Sequence, residues 1–351
     1  MNARQLILDT LRGKTTEQIP VTAHAWGLYK FQLANIVQGY ENEQLAWAMN
    51  GKELAGVETN FYDRFCPDTF HLGRGASLLP VDEHRKKAAE ELIPEVRKLE
   101  SKRIIDEYVS LVSVSEEEAL KGGIYDHVRV IREKYSDEAF ITLNEGNPFA
   151  DALDPHGVLG FENGLISMIE EPEMVKYLLH RLYESRLETI KALKKCGADA
   201  YIGSETYCSA DIISPALYKE VVFPAQQEFY QGLKKMGMYA FSYFLGDLFP
   251  MMEDIKQLGL DALLVERYNK GLDIDIHRVY EESEGAFTVY GNLNSVDTLL
   301  RGSTDDVIKE TEREISLCGH GKFIMCNDCP ICFDTPTENV RAMIETARGC
   351  R

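Results

Sequence analysis

Apolar positions in the second half of the chain fall into a repeated order: a stripe at helical spacing, a basic or polar residue with glycine, then a short apolar run. Leu179, Leu182, Tyr183, Leu187, Ile190 and Leu193 recur three or four residues apart and predict an amphipathic helix. Lys194 and Lys195 complement the negative end of the helix dipole, and Gly197 suits a left-handed cap. Asp199-Ala200-Tyr201-Ile202-Gly203 then reads as a strand. The order returns twice, as Lys234-Lys235-Met236-Gly237 before Met238–Tyr243 and as Gln257-Leu258-Gly259 before Leu260–Val265. Gly197-Ala198-Asp199-Ala200 and Gly259-Leu260-Asp261-Ala262 are near copies of one junction.

Similar apolar runs bounded by turn residues predict strands at Ile19–Ala25, Gly56–Phe61, Ala139–Asn144, Ala286–Gly291 and Phe323–Cys326, which brings the total to eight. Strands alternating with helices imply right-handed crossovers and a parallel sheet, and eight of them imply closure into a (β/α)8 barrel. A doubly wound open sheet is the competitor, and the count alone argues against it. Residues 62–135 are rich in charge and poor in strand signal, with helical stretches at Glu83–Ser101 and Ser113–Lys121. They read as a mainly helical insertion in a single barrel domain spanning 1–351.

In such a barrel chemistry sits where strands end. The expected mouth positions are His24 and Trp26; Glu58 and Asn60; Asn144 and Glu145; Glu205, Tyr207 and Cys208; Tyr243 and Asp247; Glu266 and Arg267; Asn292 and Asn294; Cys326 and Cys329. No Gly-x-Gly-x-x-Gly follows a strand, and neither a Walker-type loop, His-Glu-x-x-His nor Gly-x-Ser-x-Gly occurs. Dinucleotide redox chemistry, nucleotide hydrolysis and lipase-type acyl transfer lose their usual support.

Charge narrows the partners. The chain carries 38 Lys plus Arg against 57 Asp plus Glu, a net charge of -19 that repels phosphate backbones and anionic membranes. No segment reaches the roughly 18 apolar residues of a membrane span, so neither nucleic acid nor membrane is expected. Eight Cys in 351 residues are too sparse for a disulfide-stapled secreted domain, which makes a cytoplasmic location the expectation.

Three of those cysteines fall together. Cys326-Asn327-Asp328-Cys329-Pro330-Ile331-Cys332 repeats the C-x-x-C spacing at which two sulfurs converge on one ion, and thiolates are favoured zinc ligands. Small apolar fillers or a redox pair are the other readings of the same residues. His24 reads as a ligand, a base or a half-buried residue. Glu58, Glu205 and Glu266 end different expected strands, and their carboxylates are expected to converge on the barrel axis for a cation or acid–base task.

With the strands placed, several segments together resemble the uroporphyrinogen decarboxylase superfamily, including its corrinoid-linked methyltransferase branch. They are Gly146-Asn147-Pro148-Phe149, Gly160–Asn163 with Glu170–Glu173, Ser209–Pro215, Gly291-Asn292-Leu293-Asn294 and Asp334–Ala342. The resemblance implies a (β/α)8 barrel. Decarboxylases of this family carry Arg residues after the first strand and a His before the Asp-Thr-Pro segment. Here Val21–Tyr29 contains no Arg, and Cys329 stands at the His position. In the methyltransferase branch the residue at Cys329 ligates zinc, together with a His-x-Cys pair after the fifth strand. Tyr243-Phe244-Leu245-Gly246 occupies that place here.

One family zinc ligand of three is therefore kept. Either the site is rebuilt from Cys326, Cys329 and Cys332 with Glu205 or His24, or zinc is lost. The resemblance implies an enzyme that moves a methyl group to or from a cobamide, carried by a partner corrinoid protein, with zinc assistance and a small-molecule donor or acceptor. Glu205 and Tyr243 are the expected catalytic residues. His24, Glu58, Asn144 and Asn292 are the expected substrate-binding residues, and a homodimer is allowed for. A uroporphyrinogen-type carboxy-lyase and a non-catalytic ligand-binding barrel are the alternatives.

Overall fold

The strands are β1 (Thr69–Leu72), β2 (Phe140–Asn144), β3 (Ala200–Glu205), β4 (Tyr239–Phe244), β5 (Ala262–Val265), β6 (Tyr268–Asn269), β7 (Leu272–Asp273), β8 (Thr288–Tyr290) and β9 (Phe323–Ile324). β6 and β7 form an antiparallel hairpin, and the other seven form one parallel sheet in the order β1-β2-β3-β4-β5-β8-β9. This computed structural model describes residues 2–25, 27–36, 49–73, 83–269 and 271–349, so Trp26 lies outside the described residues.

The segment 20–25 joins the two ends of the sheet. Thr22 donates its N–H to the Met325 carbonyl and Met325 donates to Pro20, while on the other side Asp68 donates to Val21. It holds the first strand position of a (β/α)8 barrel.

The repeated junction has a physical purpose. The Asp199 carboxylate accepts the Ile141 N–H at 2.9 Å, and the Asp261 carboxylate accepts the Ala240 N–H at 2.8 Å. The Asp68 carboxylate does the same for Val21 at 2.8 Å. In each case an acid just before one strand satisfies an orphan donor at the start of its neighbour and fixes the stagger between them. Asp199 is further held by Arg4 and Arg132.

Alternation along the strands separates two cores. Phe140, Ala200, Ile202, Phe241, Tyr243, Ala262, Leu264, Tyr290, Ile324 and Cys326 fill the barrel interior. Ile7, Leu8 and Leu11 of the helix Ala3–Leu11 pack into the same cluster and plug the end where the strands begin. Ile141, Leu143, Tyr201, Leu263, Val265 and Val289 face the helices in the outer layer.

One expected strand is a helix. Gly56–Phe61 lies inside the helix Gly51–Phe65, which starts with a capping box between Asn50 and Glu53. Its buried residues Leu54, Val57, Glu58, Phe61 and Phe65 recur at three and four, the period of a helix face. The strand is instead β1, whose Thr69 and His71 interrupt the apolar signal and whose residues fall within the span 62–135. Helices Glu83–Val96, Lys102–Val112, Glu116–Lys121 and Asp126–Tyr135 separate β1 from β2. Among the described residues no helix is long and apolar enough to cross a membrane.

Candidate active site at the barrel mouth

The C-terminal ends of β2 to β5 and the loop after β9 surround a cavity of about 440 Å³, lined by Asn144, Glu145, Ser204, Tyr243, Leu245, Glu266 and Cys329 among others. The Asn144 side-chain carbonyl accepts from the Ser204 hydroxyl and from Gly146 N–H, each at 3.0 Å, so its amide end is held in one orientation. The Tyr243 hydroxyl lies 3.3 Å from Glu266 Oε1 and donates to it. Burial and the Glu266 charge push that phenol well above its ordinary range, so it stays a donor.

Behind Tyr243 stands a pair of imidazoles. The His24 ring meets Tyr243 edge-on at 4.9 Å and lies 4.5 Å from the ring of His71. Both are buried, and burial pushes His24 down to about 3 and His71 well below the ordinary range, so both are neutral. Beyond them, the Lys30 ammonium pairs with Glu58 and donates to the His71 carbonyl at 2.8 Å.

Cys329 sits on a fixed loop. Its N–H donates to Asp328 at 2.6 Å, and its carbonyl accepts from Ser295 Oγ at 2.6 Å and Asn327 Nδ2 at 2.7 Å. Burial, then the Asp328 charge, pushes its thiol well above the ordinary range. In this setting the sulfur is a thiol, not a thiolate.

Of the expected site residues, Asn144, Tyr243 and Cys329 line the cavity. Glu205 does not. It ends β3 on the outward face and is fully buried among Gln226, Tyr230, Asn147 and Cys208, all of which reach its carboxylate. The expected convergence on the axis fails by one residue: Ser204 points to the mouth and Glu205 to the helices. Glu58 lies on a helix and is spent on Lys30. Asn292 turns its amide to the carbonyls of Glu266 and Ile274, at 3.0 and 2.9 Å, and so braces the loop that carries Glu266. Sequence reasoning missed Lys30 and His71. A lysine nine residues beyond the first strand's Val21 and a histidine in a strand too polar to be recognised gave no usable signal.

The outward network around Glu205 makes its own prediction. A Cβ on Gly203 would stand 2.5 Å from the Tyr230 hydroxyl. Gly203→Ala is therefore expected to cost about 1–3 kcal/mol of stability, read by urea unfolding. A loss below about 0.5 kcal/mol would show that the network yields without strain.

The cysteines do not gather. Cys326 is part of the barrel interior, with its sulfur 3.9 Å from Asn327 Oδ1, while Cys329 and Cys332 are both half-buried in the loop beyond. Among the described residues no group of three His, Cys, Asp or Glu side chains stands where it could hold a metal ion. A zinc site rebuilt from the three thiols does not fit this geometry.

The family model described as uroporphyrinogen decarboxylase (URO-D) matches residues 2–350. The chain belongs to the uroporphyrinogen decarboxylase family. Over 228 residues it is 23% identical to the methylcobamide:CoM methyltransferase MtaA of Methanosarcina barkeri (strain Fusaro / DSM 804), covering 63% of the chain and 62% of that relative. Over 187 residues it is 27% identical to the uroporphyrinogen decarboxylase of Thermus thermophilus, covering 51% of the chain and 49% of that relative. The chain thus matches less than two thirds of either curated relative's length. A solved structure of a methyltransferase from Methanosarcina mazei superposes with a TM-score of 0.74 at 17% identity, covering 99% of this chain and 98% of that one, which establishes the shared fold.

Proposed function

We propose that the protein is a methyltransferase that moves a methyl group between a cobamide and a small molecule held at the barrel mouth. The observation that carries this reading is Cys329 on the wall of the mouth cavity beside Tyr243 and Glu266. A thiol stands there, where the sequence comparison with decarboxylases called for a histidine. Similarity to the M. barkeri methyltransferase supports the same side.

The cavity of about 440 Å³ suits a small donor or acceptor and does not enclose a corrin macrocycle, which supports a cobamide carried by a separate corrinoid protein. The cobamide, when presented, supplies or accepts the methyl group on cobalt. The chain's own residues do the rest. Asn144 offers its oriented amide, Tyr243 donates a hydrogen bond where Glu266 accepts it, and Leu245 adds an apolar wall. Glu205, His24, Glu58 and Asn292 act from behind as supports.

No step is assigned to zinc. Tyr243 and Leu245 stand at the two other positions of the family's ligand set, and Cys326 and Cys332 do not join Cys329 at the cavity. The carboxy-lyase alternative is weakened too. The cation that follows the first strand, Lys30, is already bonded to Glu58 and cannot clamp a substrate carboxylate.

The test is demethylation of methylcob(III)alamin in the presence of a panel of small thiols and amines, followed by its visible spectrum. Wild-type protein is expected to accelerate the loss with at least one acceptor, and Cys329→Ala is expected to lower kcat/KM at least about tenfold. No acceleration over buffer, together with consumption of uroporphyrinogen, would replace this reading with the carboxy-lyase.

A further inference from the structure

A second cavity of about 600 Å³ adjoins the first, between the loop after β2 and the helices Lys102–Val112 and Pro172–Lys195. The two share a wall made of Glu145, Gly146, Ser204 and Thr206. Glu145 is 5% exposed, yet among the described residues no Lys or Arg forms an ion pair with its carboxylate, and Arg186 pairs with Asp151 instead. The buried Tyr125 hydroxyl is the neutral donor that stands beside it, and burial with the Glu145 charge pushes that phenol well up. Arg186, the cation of this wall, is committed elsewhere. It donates to the Glu145 backbone carbonyl at 2.8 Å, the Tyr201 hydroxyl at 3.4 Å and Asp151 Oδ2 at 2.7 Å.

A carboxylate that lines two cavities with no Lys or Arg ion-paired to it is a negative charge that a ligand entering either cavity meets. The other buried acids near the mouth have their partners: Glu58 has Lys30, Glu205 its side-chain donors, and Asp328 three backbone N–H groups. The surroundings of Glu145 define what is missing. Glu266 lines the same mouth cavity, Asp151 and Asp154 line the second, and no Lys or Arg is among the described residues lining the mouth cavity. Tyr207 and Tyr108 in the second cavity and Tyr243 in the first add aromatic surface that favours a cation's face.

We propose that Glu145 anchors the positively charged head of a small organic cation, and that this cation is the small molecule the two joined cavities are built to hold. The proposal deepens the reading of the mouth as a methyl-transfer site and rests on it for the identity of the bound molecule as substrate. An anionic ligand such as a sulfonate meets the carboxylates of the same walls and finds Arg186 already bonded to Asp151.

Isothermal titration of the full chain with choline, with its carbon isostere in which the quaternary nitrogen is replaced by carbon, and with ethanesulfonate reads the charge preference directly. Choline is expected to bind at least about tenfold more tightly than the isostere, and ethanesulfonate not to bind. Glu145→Gln is expected to bring choline down to the isostere while leaving isostere affinity and the melting temperature in place, which separates a lost charge from a lost fold. Equal binding of choline and isostere, no saturable choline binding, tighter binding of ethanesulfonate, or a discrimination kept by Glu145→Gln would each overturn the proposal. The titration needs no turnover, so an absence of methyl transfer does not alter its outcome. Equally, a missing charge preference leaves the demethylation assay to stand alone.

Discussion

Glu58→Ala is expected to lower the unfolding free energy by about 3–5 kcal/mol, because it strands the Lys30 ammonium in the interior. Both side chains are almost wholly enclosed, at 3% and 7% side-chain exposure. Burial pulls Lys30 below its ordinary range and pushes Glu58 above its own, while each partner's charge pulls the other way. Desolvation therefore outweighs the attraction even in the intact pair. Removing one partner cancels only the attraction. Lys30 keeps a single bond to the His71 carbonyl at 2.8 Å and the face of Phe61 at 5.1 Å, too little for a full charge. The double variant Lys30→Met, Glu58→Leu is expected to recover most of the loss, since it replaces two buried charges by side chains of similar volume. Urea unfolding of the three proteins makes the comparison. A single-variant loss under about 1 kcal/mol, or a double variant as unstable as Glu58→Ala, would mean that water already reaches the pair.

The layers of the barrel were readable because their signals are local. Three helix–Gly–strand junctions announced parallel crossovers, and the Asp in each near-copy turned out to bond the neighbouring strand's first free N–H. What escaped was information held between distant residues. Gly56–Phe61 alternates well enough to pass for a strand, and only the burial of Leu54, Val57, Phe61 and Phe65 on one side reveals a helix. β1 went unseen because Thr69 and His71 point into the barrel, where Thr69 meets Thr22 and Tyr290 instead of apolar side chains.

The mouth shows the same division. Tyr243, Asn144 and Cys329 all line the cavity, and at two of these places a one-residue shift changes little because Glu145 and Pro330 line it as well. At β3 the shift matters: the sequence offers Ser204 and Glu205 side by side, and the carboxylate drew attention although the pleat sends it outward. The cysteine spacing was genuine as a pattern and misleading as a site. Cys326, two residues past β9, still packs into the barrel interior while Cys329 has reached the mouth cavity, so the turn out of the barrel divides the motif.

Glu314→Gln is expected to be more stable than the wild type at alkaline pH and equal to it in acid. Glu314 is fully buried on the helix Thr304–Cys318, where burial first and the Glu310 charge second raise its pKa from 4.5 to about 8, against the pull of Arg313, Arg267 and the Asn292 N–H. A carboxyl raised on folding binds more protons in the native state. Its contribution is fully present below pH 4.5 and is lost as pH rises through about 8. Glutamine keeps an acceptor for the Asn292 N–H, which Glu314 Oε2 binds at 3.0 Å, and does not ionise. The gap should open above pH 4.5, stop widening near 8 and reach on the order of 5 kcal/mol at most. The buried imidazoles of His24, His71 and His127 are depressed on folding and act with the opposite sign, since their contribution fades as pH falls below 6.5. Both proteins carry them, so they cancel in the difference. Urea unfolding at pH 5, 7 and 9 supplies the comparison, and a gap that does not grow with pH would show that Glu314 is ionised throughout. The same carboxyl reaches the mouth through its bonds: Glu314 holds Asn292, Asn292 holds the carbonyl of Glu266, and Glu266 receives the Tyr243 hydroxyl, so a side chain on an outer helix is linked to the cavity's donor and acceptor.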